Sequence, residues 1–179
     1  MRPGPRARGG TTAERFTAAY RELSPRVLGY LRTHGVDDPE AATNDVFLAL
    51  HRRFAAIEGG DDGVRTLVFS IAHARLVDFH RAQARHPRHV PFDADDDPRH
   101  AASAEDVAID LVGGGGAMAM LTRLGDDQRQ AISLRVIAGL SLQETAQVMD
   151  RSVGSIKQLQ RRALESLRAL VAQEEAIDV

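Results

Sequence analysis

Four histidines lie between positions 73 and 89 of this 179-residue chain, and His86 and His89 have the separation of metal ligands. His73 and His80 complete the group. No carboxylate accompanies them in a metal-binding arrangement, and the sequence contains no Cys, which also excludes disulfides and thiolate catalysis. We therefore expect no metal site and no cofactor, and we assign these histidines to a basic helix that faces nucleic acid.

Acidic residues offer the other possible catalytic chemistry. Glu105, Asp106 and Asp110 could serve in acid catalysis or hold a divalent cation. The glycine run at 113–116 follows them closely and favours a flexible linker instead. We therefore expect no catalytic residues, and a protein that is not an enzyme.

The segment from Leu140 to Leu170 has residue types and spacing suited to DNA binding. Ser141 and Glu144 predict a capping box at the start of a helix of about two turns. Asp150, Arg151 and Ser152 predict a tight turn into a longer helix capped by Ser152. Its inner stripe is predicted to be Val153, Ile156, Ala163, Leu164, Leu167 and Leu170. A short helix, a tight turn and a longer helix predict a helix-turn-helix.

Basic and polar residues occupy the predicted outer side of this helix-turn-helix. The candidate DNA-binding residues are Arg151, Ser155, Lys157, Gln158, Arg161 and Arg162. Lys and Arg neutralise phosphates, and Gln158 or Arg161 could read base edges in the major groove. The alternative is an ordinary helix pair whose basic face only meets solvent.

Composition indicates a wholly helical protein that must position this motif. Hydrophobic residues make up 43% of the chain, aromatic residues only 4%, and there is no Trp, so the core must consist mainly of Leu, Val, Ile and Ala. The basic stretch from Met1 to Gly10 lacks the apolar segment of a signal peptide or membrane anchor. We therefore expect a cytoplasmic protein without membrane insertion.

Three amphipathic helices are predicted in the first half. Thr11 and Glu14 predict a capping box for the first helix, and Asp38 followed by Pro39 predicts the start of the second. The third should follow a loop at 58–63 and continue until Pro87. Further along the chain, a short apolar helix is predicted at 118–124, and a helix capped by Asp126 should close at Gly139.

The charge distribution divides the chain into two modules. Residues 93–112 contain seven acidic residues and one basic residue, whereas the blocks on either side are neutral to basic. We predict two small helical domains joined by a flexible acidic linker. The predicted boundaries are a disordered basic arm at 1–11, a three-helix domain at 12–90, the linker at 91–116, the helix-turn-helix domain at 117–171 and an acidic tail at 172–179.

Two separate stretches resemble one family. Leu140-Ser141-Leu142-Gln143-Glu144-Thr145-Ala146 with Ser152-Val153-Gly154-Ser155-Ile156-Lys157 resembles the promoter-binding helix-turn-helix of extracytoplasmic-function sigma factors, within the sigma-70 family. Asp38-Pro39-Glu40-Ala41 through Asn44-Asp45-Val46-Phe47-Leu48 resembles that family's polymerase-binding helix, and Arg65 to Arg85 its promoter-melting helix. The order and spacing agree over about residues 12–171.

The resemblance implies a dissociable, non-catalytic specificity subunit of bacterial RNA polymerase, whose partners are the core polymerase, promoter DNA and an anti-sigma factor. Its first module would bind the −10 element and its second the −35 element. The residues implied in core-polymerase binding are Asn44, Asp45, Phe47 and Leu48. Those implied in −10 DNA binding are Arg65, Phe69, Arg75, Arg81 and Arg85, and the loop at 58–64 would hold a flipped promoter base.

Some residues depart from the family pattern. This chain has His51, Thr66 and Leu67 where the family usually carries Trp or other aromatics, and Leu159-Gln160 where Arg-Leu is commoner. The second departure leaves open whether the inner stripe rotates locally or Gln160 lies at its margin.

Two further expectations concern the aromatic residues and the alternative functions. Most aromatic residues are expected in the core, with Phe69 the one candidate for a DNA contact. The alternative functions are a two-module helix-turn-helix regulator with an α/β receiver domain, and a helical adaptor that binds only proteins.

Overall fold

The computed structural model describes residues 11–85 and 114–177. Within these two ranges the chain forms seven α-helices and one short 3-10 helix, without a β-strand. The prediction of an all-α fold is confirmed. Several predicted features lie outside the described residues: most of the basic arm and of the acidic linker, His86, Pro87, His89, Glu105, Asp106, Asp110 and the last two residues of the tail.

The N-terminal module, residues 12–85, contains three α-helices. They are α1 (Thr12–Thr33), α2 (Pro39–His51) and α3 (Gly60–Arg85), with the 3-10 helix at Phe54–Ala56 between the last two. Thr11 and Glu14 form the predicted capping box, and the Asp38 side chain accepts a hydrogen bond from the Ala41 amide at 2.9 Å. α1 continues through Pro25.

The start of α3 differs from the prediction, because the helix begins at Gly60, within the segment expected to be a loop. Gly59 and Gly60 have φ angles of 86° and 63°, which glycine adopts without steric cost. A Cβ at Gly63 would lie 2.0 Å from the carbonyl oxygen of Glu58. These glycines therefore allow the tight turn that leads directly into the first turn of α3.

The C-terminal module, residues 114–177, contains four α-helices: α4 (Gly114–Thr122), α5 (Asp126–Val136), α6 (Leu142–Val148) and α7 (Val153–Ile177). The glycines at 114–116 lie in α4, so the predicted linker is wrong at its C-terminal end. The N-cap of α5 is Gly125, with Asp126 as the first helical residue, which corrects the predicted Asp126 cap.

The helix-turn-helix forms largely as predicted. Ser141 and Glu144 make the capping box of α6, and Asp150 turns the chain with a φ of 51° before the Ser152 hydroxyl caps α7. Two residues of the predicted inner stripe are exposed instead, Val153 at 36% and Leu164 at 38%. α7 also continues to Ile177, through most of the predicted acidic tail.

The two modules pack against each other. α3 contacts α6, and α1 contacts α4. One continuous cluster of buried apolar side chains contains residues of both modules, including Leu31, Phe69 and Leu76 from the first and Leu134, Leu140 and Ile156 from the second. A smaller cluster of Leu124, Ile132 and Ala163 lies within the C-terminal module.

Candidate nucleic-acid and protein-binding surfaces

α2 has one buried face and one exposed face. Thr43, Val46 and Leu50 are buried against the rest of the module. Asn44, Asp45 and Leu48 lie on the exposed face, where Leu48 is three positions from Asp45 and four from Asn44, the spacings of neighbours on a helix surface. Leu48 is 61% exposed and adds an apolar side chain to this otherwise polar face. This polar and apolar surface is suited to binding another protein.

Phe47 does not belong to that surface. It is only 3% exposed, and its ring packs edge-on against Tyr20 with centroids 4.8 Å apart. A direct polymerase contact by Phe47 is therefore wrong for this structure. Its role is to anchor α2 on α1, so that Asn44, Asp45 and Leu48 are held in position.

α3 presents a row of arginines along its second half. Arg75, Arg81 and Arg85 are exposed, and Arg81 lies 4.0 Å from Asp78, a long ion pair between two exposed side chains. Arg65, near the start of the helix, is largely buried and pairs with Asp62 at 3.2 Å. The exposed arginines can reach phosphates, whereas Arg65 would first have to leave its partner.

Phe69 is a second correction. Its side chain is fully buried, and its ring meets that of Tyr30 edge-on at 5.9 Å. The position expected to stack on a DNA base is instead part of the core between α1 and α3. Phe69 cannot contact DNA without opening that core.

A cavity of about 440 Å³ lies at the start of α3. One side is formed by Gly59, Asp62 and Gly63, from the segment predicted to hold a flipped base, together with Thr66, Leu67 and Ser70. The other side is formed by Glu144 and Gln147 of α6. Sequence reasoning identified Glu144 only as a cap and Thr66 only as a departure from the family pattern, and it missed Ser70 and Gln147. The proximity of these residues depends on packing between the modules.

The first half of α7 carries the basic face of the helix-turn-helix. Lys157, Gln158, Arg161 and Arg162 are exposed, and Ser155 is half-buried, its amide donating to the Ser152 hydroxyl at 3.1 Å. Arg161 lies 3.6 Å from Glu165, an exposed pair that costs little to separate. The helix can thus offer three cations and one amide to a groove.

The structure places three further residues near this face, Leu159, Gln160 and Arg151. Leu159 packs against the core while Gln160 is half-buried, so Gln160 lies at the margin of the inner stripe. Arg151, predicted to bind DNA, donates to Asp127 at 2.8 Å and so ties the turn to the first turn of α5.

A histidine cluster, which we define as the buried His34, the half-buried His73 and His80 and the buried Tyr30, lies between α1 and α3. Nδ1 of His34 lies 2.7 Å from the Tyr30 carbonyl oxygen, and Nε2 of His80 lies 3.3 Å from the His34 carbonyl oxygen. Burial lowers the pKa of His34 to about 4 and also lowers the pKa of His73. In the part of the chain that the structure describes, no three His, Cys, Asp or Glu side chains form a metal-binding group.

Sequence comparison places the chain in a family. Residues 120–169 match the family model described as "Sigma-70, region 4". The chain is 31% identical over 169 residues to the ECF RNA polymerase sigma factor SigK of Mycolicibacterium vanbaalenii, covering 88% of this chain and 81% of that protein. The chain belongs to the extracytoplasmic-function (ECF) RNA polymerase sigma factors.

Two longer relatives carry the same family name. The chain is 35% identical over 109 residues to ShbA of Streptomyces griseus, covering 59% of this chain and 57% of that protein. It is 30% identical over 174 residues to BldN of Streptomyces coelicolor, covering 93% of this chain and 63% of that protein. The chain thus spans less than two thirds of the length of either relative.

Solved structures share the fold. The structure of CnrH with the cytosolic domain of CnrY superposes with a TM-score of 0.61 at 20% identity, covering 90% of this chain and 95% of that chain. The sigma factor RpoE with the anti-sigma factor NepR from Bartonella quintana gives 0.61 at 19% identity, covering 88% and 96%. Across residues 11–85 and 114–177, no helix is long and apolar enough to cross a bilayer.

Proposed function

We propose that this chain is a non-catalytic specificity subunit that binds core RNA polymerase, directs it to promoters and helps to melt them. The observation that carries the proposal is the capped helix-turn-helix at 141–177, whose exposed basic face lies inside the segment matching sigma-70 region 4. A major groove accommodates one α-helix, and exposed Lys and Arg side chains neutralise its phosphates. The second module would thus read the −35 element.

Within α7, we assign Lys157, Arg161 and Arg162 to phosphate or base contacts and Gln158 to base recognition, because all four are exposed on the first half of the helix. Ser155 would approach the backbone near the helix N-terminus, where amide groups favour anions. Arg151 has a different task, since its ion pair with Asp127 already positions the turn.

The first module would bind both polymerase and the −10 element. We assign Asn44, Asp45 and Leu48 to core polymerase, since they form one exposed face of α2. Arg75, Arg81 and Arg85 would contact duplex phosphates, with Arg65 joining them once it leaves Asp62. The cavity at the start of α3 is of a size that accepts a flipped base, whose lost stacking needs a compensating pocket.

Relatives supply the remaining expectations. RpoE is described in complex with an anti-sigma factor, and a partner of this kind is proposed here as well. We place the protein in the cytoplasm with RNA polymerase, without a cofactor. A two-module regulator with an α/β receiver domain is disfavoured, because every element of regular secondary structure within residues 11–85 is a helix and none is a strand.

Run-off transcription tests the proposal. Core polymerase with the full chain is expected to produce transcripts with defined 5′ ends on a library of genomic fragments, and sequencing those ends reveals the promoter elements. Core polymerase alone and the chain alone are the controls. If the chain binds core but yields no promoter-specific product, it is an adaptor and the proposal is wrong.

A further inference from the structure

We propose that four basic side chains at the start of α1 and the end of α2 form a second, sequence-independent DNA site, which holds the single strand of promoter DNA beyond the flipped base. This basic patch, as we define it, consists of Arg15, His51, Arg52 and Arg53. The inference rests on the proposed function, because the strand in question is the one whose base is assigned to the cavity at the start of α3.

Aromatic packing brings the basic patch together from two helices. The ring of Phe16 on α1 meets that of His51, the last residue of α2, edge-on with centroids 5.0 Å apart, and meets that of Phe54 at 5.2 Å. The Arg15 guanidinium lies 5.8 Å from the centroid of the Phe54 ring. The other two arginines of the patch connect α2 to the 3-10 helix that begins at Phe54. The basic side chains therefore lie around one small aromatic cluster.

The basic patch is accessible to a ligand. All four of its residues are exposed. Within residues 11–85 and 114–177, none of its three arginines forms an ion pair with a carboxylate. Glu14, next to Arg15 in the sequence, is held in the capping box of α1, where its carboxylate accepts a hydrogen bond from the Thr11 amide at 2.7 Å. Exposed cations of this kind neutralise phosphates and release the counterions of DNA.

The basic patch and the cavity lie at the same end of the N-terminal module. The start of α1 packs on the 3-10 helix that leads into α3. The end of α1 packs on the second half of α3, where Nε2 of His80 lies 3.3 Å from the His34 carbonyl oxygen. The exposed arginines of α3 belong to that second half, so a strand that passes from them to the cavity continues toward the end of the module that carries the patch.

The spacing between the cavity and the basic patch suits a short stretch of single strand. Arg53 precedes Gly59, which lines the cavity, by six positions in the sequence. The two residues are therefore at most about 21 Å apart. This distance corresponds to about six stacked nucleotides at about 3.4 Å each. The patch can thus contact the strand within a few nucleotides of the flipped base.

The chemistry of the basic patch favours a single strand of any sequence. Unpaired bases expose their ring faces, on which the imidazole of His51 and the arginine guanidiniums can stack, and the same arginines bind phosphates. Ring faces and phosphates are common to all nucleotides, so this contact does not discriminate among bases. An acidic protein surface is the other partner that such cations accept, and the experiment below separates the two.

Two fork-shaped promoter probes test the patch with the complete holoenzyme. Both are built on a promoter defined by the run-off transcripts. The non-template strand of the short probe ends at the flipped base, and that of the long probe continues past the patch. Arg52→Gln with Arg53→Gln should weaken binding of the long probe by about tenfold and leave binding of the short probe unchanged. For the long probe, the slope of log affinity against log salt concentration should decrease in magnitude by about 1.4, since each phosphate contact of a single strand contributes about 0.7.

Two further double variants serve as controls. Arg21→Gln with Arg168→Gln removes the same charge from exposed positions outside the patch, and it should change the affinity for neither probe. Arg52→Lys with Arg53→Lys keeps the charge and should bind the long probe like the unmodified chain. If the first control weakens binding of the long probe as much as the Gln pair in the patch does, total charge explains the effect. If the Lys pair binds as poorly as the Gln pair, the loss is structural. Either result contradicts the strand site.

The remaining outcomes distinguish the strand site from the proposed function. If the Gln pair in the patch weakens binding of both probes equally, or lowers the affinity of the chain for core polymerase without DNA, the patch does not bind the single strand and the inference is wrong. Equal affinity of the unmodified holoenzyme for the two probes overturns the strand site alone. Failure of the unmodified holoenzyme to bind either probe overturns the proposed function, and the strand site with it.

Discussion

The Tyr30 hydroxyl lies 3.0 Å from Nδ1 of His73 and links the last turn of α1 to the middle of α3. Tyr30 is fully buried, and this burial raises its pKa, so the hydroxyl keeps its proton. Its ring also packs on His34, with centroids 4.5 Å apart, and on Phe69. Tyr30 is thus at the centre of the packing that positions α3 against α1.

We predict that Tyr30→Phe lowers the free energy of unfolding by about 1 kcal/mol, because it removes the hydrogen bond between the buried Tyr30 hydroxyl and the half-buried His73 ring. Tyr20→Phe is the matched control. It removes the same hydroxyl from a side chain that is 40% exposed, so its effect should be near zero. Urea unfolding followed by circular dichroism measures both, and equal effects of the two substitutions would show that the Tyr30 bond contributes nothing.

A second prediction concerns pH. The pKa of His34 is about 4 in the folded chain against 6.5 without burial, with the charges of Arg129, His80 and His73 adding to the shift. Between pH 6.5 and 4 the unfolded state therefore binds more protons than the folded state. Stability should fall as pH decreases through this window, by up to about 1.4 kcal/mol per pH unit for His34, and remain constant with respect to this group above pH 7.

His34→Asn is the control for that window. Asn keeps a hydrogen-bond donor for the Tyr30 carbonyl and suits a helix C-terminus, but it does not titrate. Unfolding midpoints measured between pH 4.5 and 7.5 should fall less steeply for the variant. Parallel curves for the two proteins would assign the acid sensitivity to other groups, His73 first among them, since its pKa is also lowered.

Local chemistry explains what the sequence predicted well. The caps at Thr11, Asp38, Ser141 and Ser152 all form, because each depends on residues within one helical turn. The same locality explains why the helix-turn-helix was found. Its two helices, the intervening turn and the exposed cations follow from spacing alone.

Glycine was the main source of boundary errors. The glycines at 60, 63 and 114–116 were predicted to lie in loops and instead lie in first turns of α3 and α4. Glycine disfavours helix only by about 1 kcal/mol, which tertiary contacts can offset. At Gly63 the close approach of the Glu58 carbonyl makes glycine necessary inside the helix.

Two aromatic residues that the family resemblance implied as contacts, Phe47 and Phe69, are buried in the core instead. Phe47 lies three positions before the buried Leu50 and Phe69 three positions before the buried Ala72, so each belongs to the buried face of its helix. The contact between Thr66 and Glu144 could not be predicted, because 78 positions separate the two residues and no local pattern joins them.

A third prediction tests the exposed face of α2. Leu48→Glu should weaken binding to core polymerase by about tenfold or more, because a carboxylate would be desolvated in an apolar contact. Val136→Glu is the matched control, since Val136 is 69% exposed on the other module. Both substitutions should change the free energy of unfolding by less than about 0.5 kcal/mol. Equal affinity losses measured by fluorescence anisotropy would show that α2 has no special role.

The fourth prediction separates phosphate contact from base recognition on α7. Lys157→Gln removes one exposed cation from the first half of the helix. The affinity of the polymerase holoenzyme for a promoter fragment should fall for all −35 sequences alike. The slope of log affinity against log salt concentration should decrease in magnitude by about 0.9, the value for one lost phosphate contact.

Arg168→Gln provides the control, because Arg168 is exposed on the same helix and three turns further along, beyond the reach of a groove occupied by residues 155–162. Its removal should leave the salt slope unchanged. Gln158→Ala should behave in the opposite way from Lys157→Gln, since losing an amide contact to a base edge reduces discrimination at one position without changing the slope. If Arg168→Gln changes the salt slope as much as Lys157→Gln does, the basic face acts only through its total charge. In that case the first half of α7 does not lie in the groove.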